Sequence, residues 1–305
     1  MVDIISIKNL TKYYGKTRGI ENLTLRVQDN EIFGFLGPNG AGKTTTIRSI
    51  LGLLHPSSGS VKILGVDFQN LTKDLYKRIG YLPGESYLYN NMTGQEYLDF
   101  FLSFHGKSKD YQQELIKKFS SIELYRPIKT LSTGQKRLIG VVSAFQHNPD
   151  LYFLDEPTIG LDPLMQQTLY TLIKQEKEEG KTFFFSSHNL SEVQLLCDRV
   201  GIVRDGFLVK TDSIENLVDI RLKHVYLKVD ESIEEWSRKL HREKEFEDIR
   251  VLGDTIEFRY SGDYEKLIQI LGEFEKVSDI IIKNPTLEEI FLQYYGYTGT
   301  KERRI

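Results

Sequence analysis

Cysteine is almost missing from this chain. Of 305 residues only Cys197 carries a thiol, which excludes an internal disulfide and suits a reducing compartment. Cys197 follows Leu195 and Leu196 within a helical pattern, so packing is its expected role. Long apolar runs are missing too. None approaches the ~18 to 20 residues needed to cross a bilayer, and the longest, such as 183–185, are strand-sized. The opening stretch MVDIISIKNLTKYYGK has no basic segment leading into an apolar core. No signal peptide is expected there, and the chain is expected to be cytoplasmic. An excess of positive charge is also lacking. A net charge of −3 and a pI near 6.1 leave no electrostatic footprint for nucleic acid. There is no low-complexity tract and no internal repeat.

What is present is ordinary globular composition, 40% hydrophobic and 27% charged, in a chain longer than one average domain. Up to about residue 210, short β-rich runs at 31–36, 61–64, 79–82, 151–154 and 182–186 alternate with helical patterns. That order predicts an α/β domain with a largely parallel sheet. The stretch from about 90 to 147 breaks the alternation and reads as a helical subdomain. In it Thr93 and Glu96 make a capping box ahead of Tyr97, Phe100, Phe101 and Phe104 at helical spacing. Asp205-Gly206 between two short strands is a hairpin signal. We place the first domain at 1–212 and a smaller one at 213–305. The second reads as βαββαβ plus a final helix, an α+β ferredoxin-like pattern. Its first helix opens on a Ser232/Glu235 capping box, its hairpin turns at Gly253-Asp254, and its last helix carries Leu287, Ile290, Phe291, Tyr294 and Tyr295 at packing intervals.

Gly37-Pro38-Asn39-Gly40-Ala41-Gly42-Lys43-Thr44 fits G-x-x-x-x-G-K-[ST] between a strand and the helix of Ile47, Ile50 and Leu51. Glycines let the backbone fold tightly, so that several N–H groups point at phosphate oxygens beside a helix N-terminus. Lys43 supplies a mobile charge for the β- and γ-phosphates, and the Thr44 hydroxyl can ligate Mg²⁺. Thr45 completes the set facing the nucleotide; the loop alone says NTPase, which still includes GTPases, kinases and helicases. Farther on, 151–154 is an apolar strand ending in Asp155 and Glu156. Paired carboxylates at the end of a buried strand are costly unless a cation or solvent answers them.

Leu131-Ser132-Thr133-Gly134-Gln135 resembles the LSGGQ signature of ABC ATPases and stands about twenty residues before the acidic pair. With it, the motif order resembles that of an ABC nucleotide-binding domain, a P-loop NTPase. The resemblance implies that Ser132, Thr133, Gly134 and Gln135 cap the ATP held by the opposite subunit, with Thr133 replacing a usual glycine. It implies that Asp155 organises Mg²⁺, that Glu156 polarises the attacking water as general base, and that His188, after Ser186-Ser187, contacts the γ-phosphate. Asp162 falls in a segment similar to the D-loop at the dimer interface. Tyr14 stands where the family stacks an aromatic on adenine, with Tyr13 the weaker candidate. The family's usual glutamine after 79–83 is here Gly84, followed by Glu85. Either Glu85 substitutes for it or water fills the gap.

The C-terminal domain resembles the accessory domain of bacterial ABC exporter ATPases of the bacitracin-resistance and sodium-extrusion type. The resemblance implies an ATPase that powers a separately encoded integral membrane permease. Its expected location is the inner face of the cell membrane, peripheral through that permease. A second ATPase subunit, identical or different, would complete the clamp, and no nucleic acid is expected. The rival is a soluble ABC ATPase acting on ribosomes or DNA. Ribosome-acting relatives usually carry two cassettes per chain and DNA-repair relatives insert coiled coils, neither of which is seen here.

Overall fold

The computed structural model describes residues 2–85, 87–106, 109–119, 121–217, 223–229, 233–274 and 276–283. The chain divides into two compact units, Met1–Asp212 and Ser213–Ile305.

The first unit opens with two long strands, β1 (Asp3–Tyr14) and β2 (Thr17–Gln28), then β3 (Ile32–Leu36) and helix α1 (Lys43–Ile50). After β4 (Ser58–Ile63) and β5 (Val66–Asp67) come α2 (Lys73–Tyr76) and β6 (Ile79–Leu82). The helical stretch is α3 (Gly94–Ser103), α4 (Asp110–Lys118) and α5 (Thr133–Phe145). The unit closes with β7 (Leu151–Asp155), α6 (Pro163–Glu178), β8 (Thr182–Ser187), α7 (Leu190–Leu196), β9 (Arg199–Arg204) and β10 (Phe207–Ser213).

Two sheets result. The larger has the order β10-β9-β3-β8-β7-β6, with parallel pairing from β9 through β3, β8 and β7 to β6. Every residue of β3, β7 and β8 is buried, as expected of strands covered on both faces. The smaller sheet, β2-β1-β4-β5, is antiparallel. This corrects the sequence reading at two points. Residues 61–63 belong to this antiparallel sheet, and Leu64 leaves the strand at φ 51°. The β1–β2 pair was not anticipated. The two sheets share one apolar core in which Ile5, Ile20, Val61 and Ile63 pack with Phe33, Phe35, Ile47 and Phe153.

Local signals act where the sequence places them. Thr93 accepts from Glu96 N and the Glu96 side chain answers Thr93 N, closing the capping box of α3. Asp205 and Gly206 sit at φ 49° and 82°, the paired positive angles of a tight hairpin turn. Cys197 is buried, its thiol pushed up by desolvation, and its Sγ lies 2.9 Å from where a Cβ on Gly34 would stand. Cys197, at the end of α7, is therefore a packing group against β3.

The second unit contains α8 (Ile214–Leu217), β11 (Lys223–Val229), α9 (Ile233–Leu240), β12 (Phe246–Leu252), β13 (Thr255–Tyr260), α10 (Tyr264–Leu271) and β14 (Val277–Lys283). Its sheet order is β12-β13-β11-β14 with antiparallel pairing throughout. That is the ferredoxin-like arrangement, in which the two βαβ halves interleave. Its own core gathers Val225, Leu227, Phe246, Phe258, Tyr260 and Leu267. Ser232 and the final segment with Leu287, Ile290, Phe291, Tyr294 and Tyr295 lie outside the described residues.

Because the first unit has its own core and holds the whole P-loop, we predict that a chain ended at Asp212 still folds and binds ATP. Calorimetry on that fragment checks it. A folded fragment with no ATP affinity would contradict the modular reading.

Candidate nucleotide-binding and hydrolysis site

The fold brings the separated motifs to the C-terminal edge of the parallel strands. The loop after β3 turns through Gly40 and Gly42, at φ 81° and 105°, angles that L side chains rarely adopt. A Cβ on Gly42 would also stand 2.7 Å from Gly19 O. Close approach, as well as backbone freedom, therefore fixes glycine there. The loop is buttressed from far along the chain: Gly206 N donates to Ala41 O at 3.1 Å, and Glu21 N donates to Gly206 O at 2.8 Å.

Lys43 begins α1 and is only 5% exposed. Its ammonium lies 2.6 Å from Gly37 O, 3.1 Å from Pro38 O and 2.9 Å from Glu156 Oε1. The contact with Glu156 is an ion pair rather than a directed hydrogen bond. Thr44 Oγ1 donates to Asp155 Oδ2 at 2.7 Å, and Ser186 Oγ donates to Asp155 Oδ1 at 2.6 Å. The costly acidic pair is thus answered by a cation and two hydroxyls. Asp155 and the Thr44 hydroxyl present hard oxygens to one point. This donor set suits Mg²⁺, which takes one or two protein oxygens together with phosphates and water.

Glu156 is 8% exposed and adopts φ 49°. A left-handed non-glycine residue costs roughly 1–3 kcal/mol and persists only where its surroundings hold it. Here its N–H is held by Ser186 O and Ser186 Oγ, both at 3.1 Å. Its Oε2 lies 2.7 Å from Nδ1 of His188, at the end of β8. Lys43, Glu156 and His188 therefore form one chain of contacts across residues remote in sequence.

A cavity of about 360 Å³ opens beside the loop, lined by Tyr14, Arg18, Asn39, Lys43, Thr44 and Glu156 among others. Tyr14 is 49% exposed and its hydroxyl is 3.4 Å from Thr45 Oγ1. The Tyr13 hydroxyl is instead committed to Glu21 Oε2 at 2.9 Å, and that carboxylate raises its pKa. Tyr14 is therefore the ring available to a base in this cavity. Arg18 was missed by the sequence reading. Its Nε donates to Asp205 O at 2.8 Å and its guanidinium lies over the Phe207 ring, which fixes it at the cavity wall.

The remaining predicted residues, Gly84 excepted, are held by contacts outside this cluster. Ser132 caps α5 by accepting from Gln135 N at 3.2 Å, and the Gln135 amide donates to Ser121 O and Glu123 Oε1. A Cβ on Gly134 would stand 2.7 Å from Gly160 O, so this position of the signature packs directly on the D-loop segment. Thr133 is exposed beside it. Asp162 caps α6 by accepting from Met165 N at 2.9 Å. Gly84 lies against the Asp155 carboxylate, where a Cβ on it would stand 3.2 Å from Oδ2. Glu85 is exposed and accepts from the Tyr87 hydroxyl. Arg137, also unforeseen, is buried on α5, where desolvation lowers its pKa to about 10 against the pull of Asp155 and Glu156.

A phosphate loop on a parallel sheet, with a hydroxyl and carboxylate for a metal and a strained glutamate held between lysine and histidine, defines a P-loop nucleotide-hydrolysing cassette. The family model described as ABC transporter matches residues 20–159. The bacitracin transport ATP-binding protein BcrA of Bacillus licheniformis is 33% identical over 302 residues, covering 97% of this chain and 98% of that protein. The linearmycin resistance ATP-binding protein LnrL of Bacillus subtilis is 35% identical over 223 residues, covering 70% of this chain and 72% of that protein. Among solved structures, an ATP binding subunit of an ABC transporter is similar with a TM-score of 0.65 at 28% identity, over 70% of this chain and 91% of that one. The dimeric bacterial ABC transporter cassette MJ0796 is similar with a TM-score of 0.63 at 25% identity, over 69% of this chain and 98% of that one. The chain belongs to the ABC transporter family, as one of its ATP-binding, ATP-hydrolysing subunits.

Proposed function

We propose that two copies of the first unit, or one copy and a related subunit, close on two ATP molecules and so drive a separately encoded membrane exporter. The observation that carries the hydrolytic reading is the Lys43–Glu156–His188 cluster around the phosphate loop. Lys43 and the loop N–H groups hold the β- and γ-phosphates, and Tyr14 stacks on the base. Thr44 and Asp155 hold Mg²⁺, which when bound neutralises phosphate charge. Glu156 takes a proton from the attacking water, and His188 steadies the γ-phosphate and the glutamate. Ser132, Thr133, Gly134 and Gln135 of one copy cap the ATP of the other, with Asp162 at the seam. Gly84 supplies no side chain at the family's glutamine position, so water takes that place unless Glu85 swings in.

A separate permease is supported by what the described residues lack and by what they expose. No helix among them is long and apolar enough to cross a membrane. Around α3 they expose contiguous aromatic rings: Tyr89, Phe100 and Phe104, with Tyr89–Phe100 centroids 6.2 Å apart and Phe100–Phe104 centroids 5.0 Å apart. Exposed aromatic patches of this kind mark docking surfaces. The relatives' names speak of bacitracin transport and linearmycin resistance, which supports the exporter reading. We predict that the tagged chain co-purifies with a polytopic membrane protein, and that Phe104→Ser weakens this several-fold while ATP binding in solution is unchanged. Co-sedimentation with ribosomes and no membrane partner would overturn the transporter reading.

A further inference from the structure

Arg137 is a cation inside the helix that opens with the signature, and it is only 3% exposed. Burying a guanidinium is expensive unless its five N–H donors are met. Here main-chain oxygens from two loops meet them. Nε donates to Pro157 O at 3.0 Å, and Nη2 donates to Asp155 O and Glu156 O, both at 2.7 Å. Nη1 donates to Pro83 O at 2.5 Å and to Gly84 O at 3.2 Å. Three successive carbonyls centred on Glu156 and two from the segment before Glu85 are thus drawn onto one rigid, planar group.

The carboxylates nearby are engaged elsewhere. Asp155 accepts from Thr44 and Ser186, while Glu156 faces Lys43 and His188. The acceptors are peptide oxygens, so what the guanidinium holds is the course of the backbone. At Glu156 that course is left-handed, with the N–H side held by Ser186. Arg137 holds the C=O side. At Gly84, where no side chain can reach the metal-facing carboxylate, it holds the main chain itself.

We infer that Arg137 is a positioning residue for hydrolysis: by clamping the carbonyls of residues 155–157 and 83–84, it fixes the Glu156 carboxylate where it can act on water. This rests on Glu156 being the general base. Lysine at 137 keeps the charge but presents one compact ammonium that cannot span both loops. Displacing a reacting group by about 1 Å costs up to ~10² in rate.

The test compares Arg137→Lys and Arg137→Met in the full chain, with turnover expressed per bound MgATP so that loss of folded protein does not enter. We expect ATP affinity within about three-fold of the parent and kcat lowered by roughly 10- to 100-fold, in line with a misplaced reacting group. Combined with Glu156→Gln, Arg137→Lys should change the residual single-turnover rate less than about two-fold, since residues that act through one another are non-additive. Unchanged kcat per bound nucleotide, with only a lowered Tm, would overturn the inference and leave Arg137 a structural residue. A full additive loss in the Glu156→Gln background would also overturn it. Normal hydrolysis by Glu156→Gln alone would instead remove the general-base reading beneath it, so the two failures are distinguishable.

Discussion

Glu156→Gln is expected to bind ATP, stop turning it over and accumulate as a closed dimer. Glutamine keeps the size and shape of the side chain that sits 2.9 Å from Lys43 and 2.7 Å from His188, but it cannot accept a proton. Turnover should therefore fall by the ~10² to 10⁴ typical of losing a general base. Affinity for ATP should survive, because the charge removed lies beside a polyanion and its loss weakens no attraction. With MgATP present, the step that reopens the clamp is blocked, and size-exclusion chromatography with light scattering should report a dimer that the parent forms only transiently. Normal hydrolysis by the variant would refute the role given to Glu156. An inactive, ATP-loaded variant that stays monomeric at high concentration would argue that the partner is a different ATPase subunit.

Lys43→Ala should lose more. Lys43 bonds the carbonyls of Gly37 and Pro38 and pairs with Glu156, so its ammonium ties the loop to the buried glutamate. Its removal takes away the cation that meets the β- and γ-phosphates and leaves a carboxylate facing them. A single charged donor lost at such a site lowers kcat by ~10² to 10³. Weakened binding comes in addition, because a hydrogen bond to a charged group is worth about 1.5–3 kcal/mol. We predict at least a ten-fold loss of ATP affinity by calorimetry and turnover near background. Parent-like affinity together with parent-like hydrolysis would show that residues 37–44 are not the phosphate site.

Much of this site was legible because its chemistry is written in short linear runs. Residues 37–44 and 151–156 each carry their context with them: a buried strand, then a loop or an acidic end. The β1–β2 pair was not legible. Its pairing shifts register repeatedly, with irregularities between Ile7 and Leu10 and between Leu10 and Lys12. Asn9 and Asn22 turn to φ 49° and 50° within the strands. The alternation that betrays a strand is interrupted at each such point. Arg137 escaped for another reason: all five oxygens named above belong to the main chain, so no side-chain pattern announces them. One signal was available. Arg137 lies four residues before Val141 on the buried stripe of α5, which also carries Leu138, Val142 and Phe145. A cation on such a stripe needs partners wherever the fold can find them.

The turn at Asp205-Gly206, which braces the phosphate loop, also sets when that loop can first exist. β3 pairs with β8 and β9, and Ala41 O is met by Gly206 N. All of these partners are synthesised last in the first unit, roughly 160 residues after the loop itself. At ~5–20 residues per second, residues 37–44 wait about 8–30 s for the strands that flank them and the turn that supports them. Pairings so distant in sequence also slow folding once the chain is complete. A nascent chain stopped before residue 206 has the whole P-loop in its sequence and no finished phosphate cradle in space.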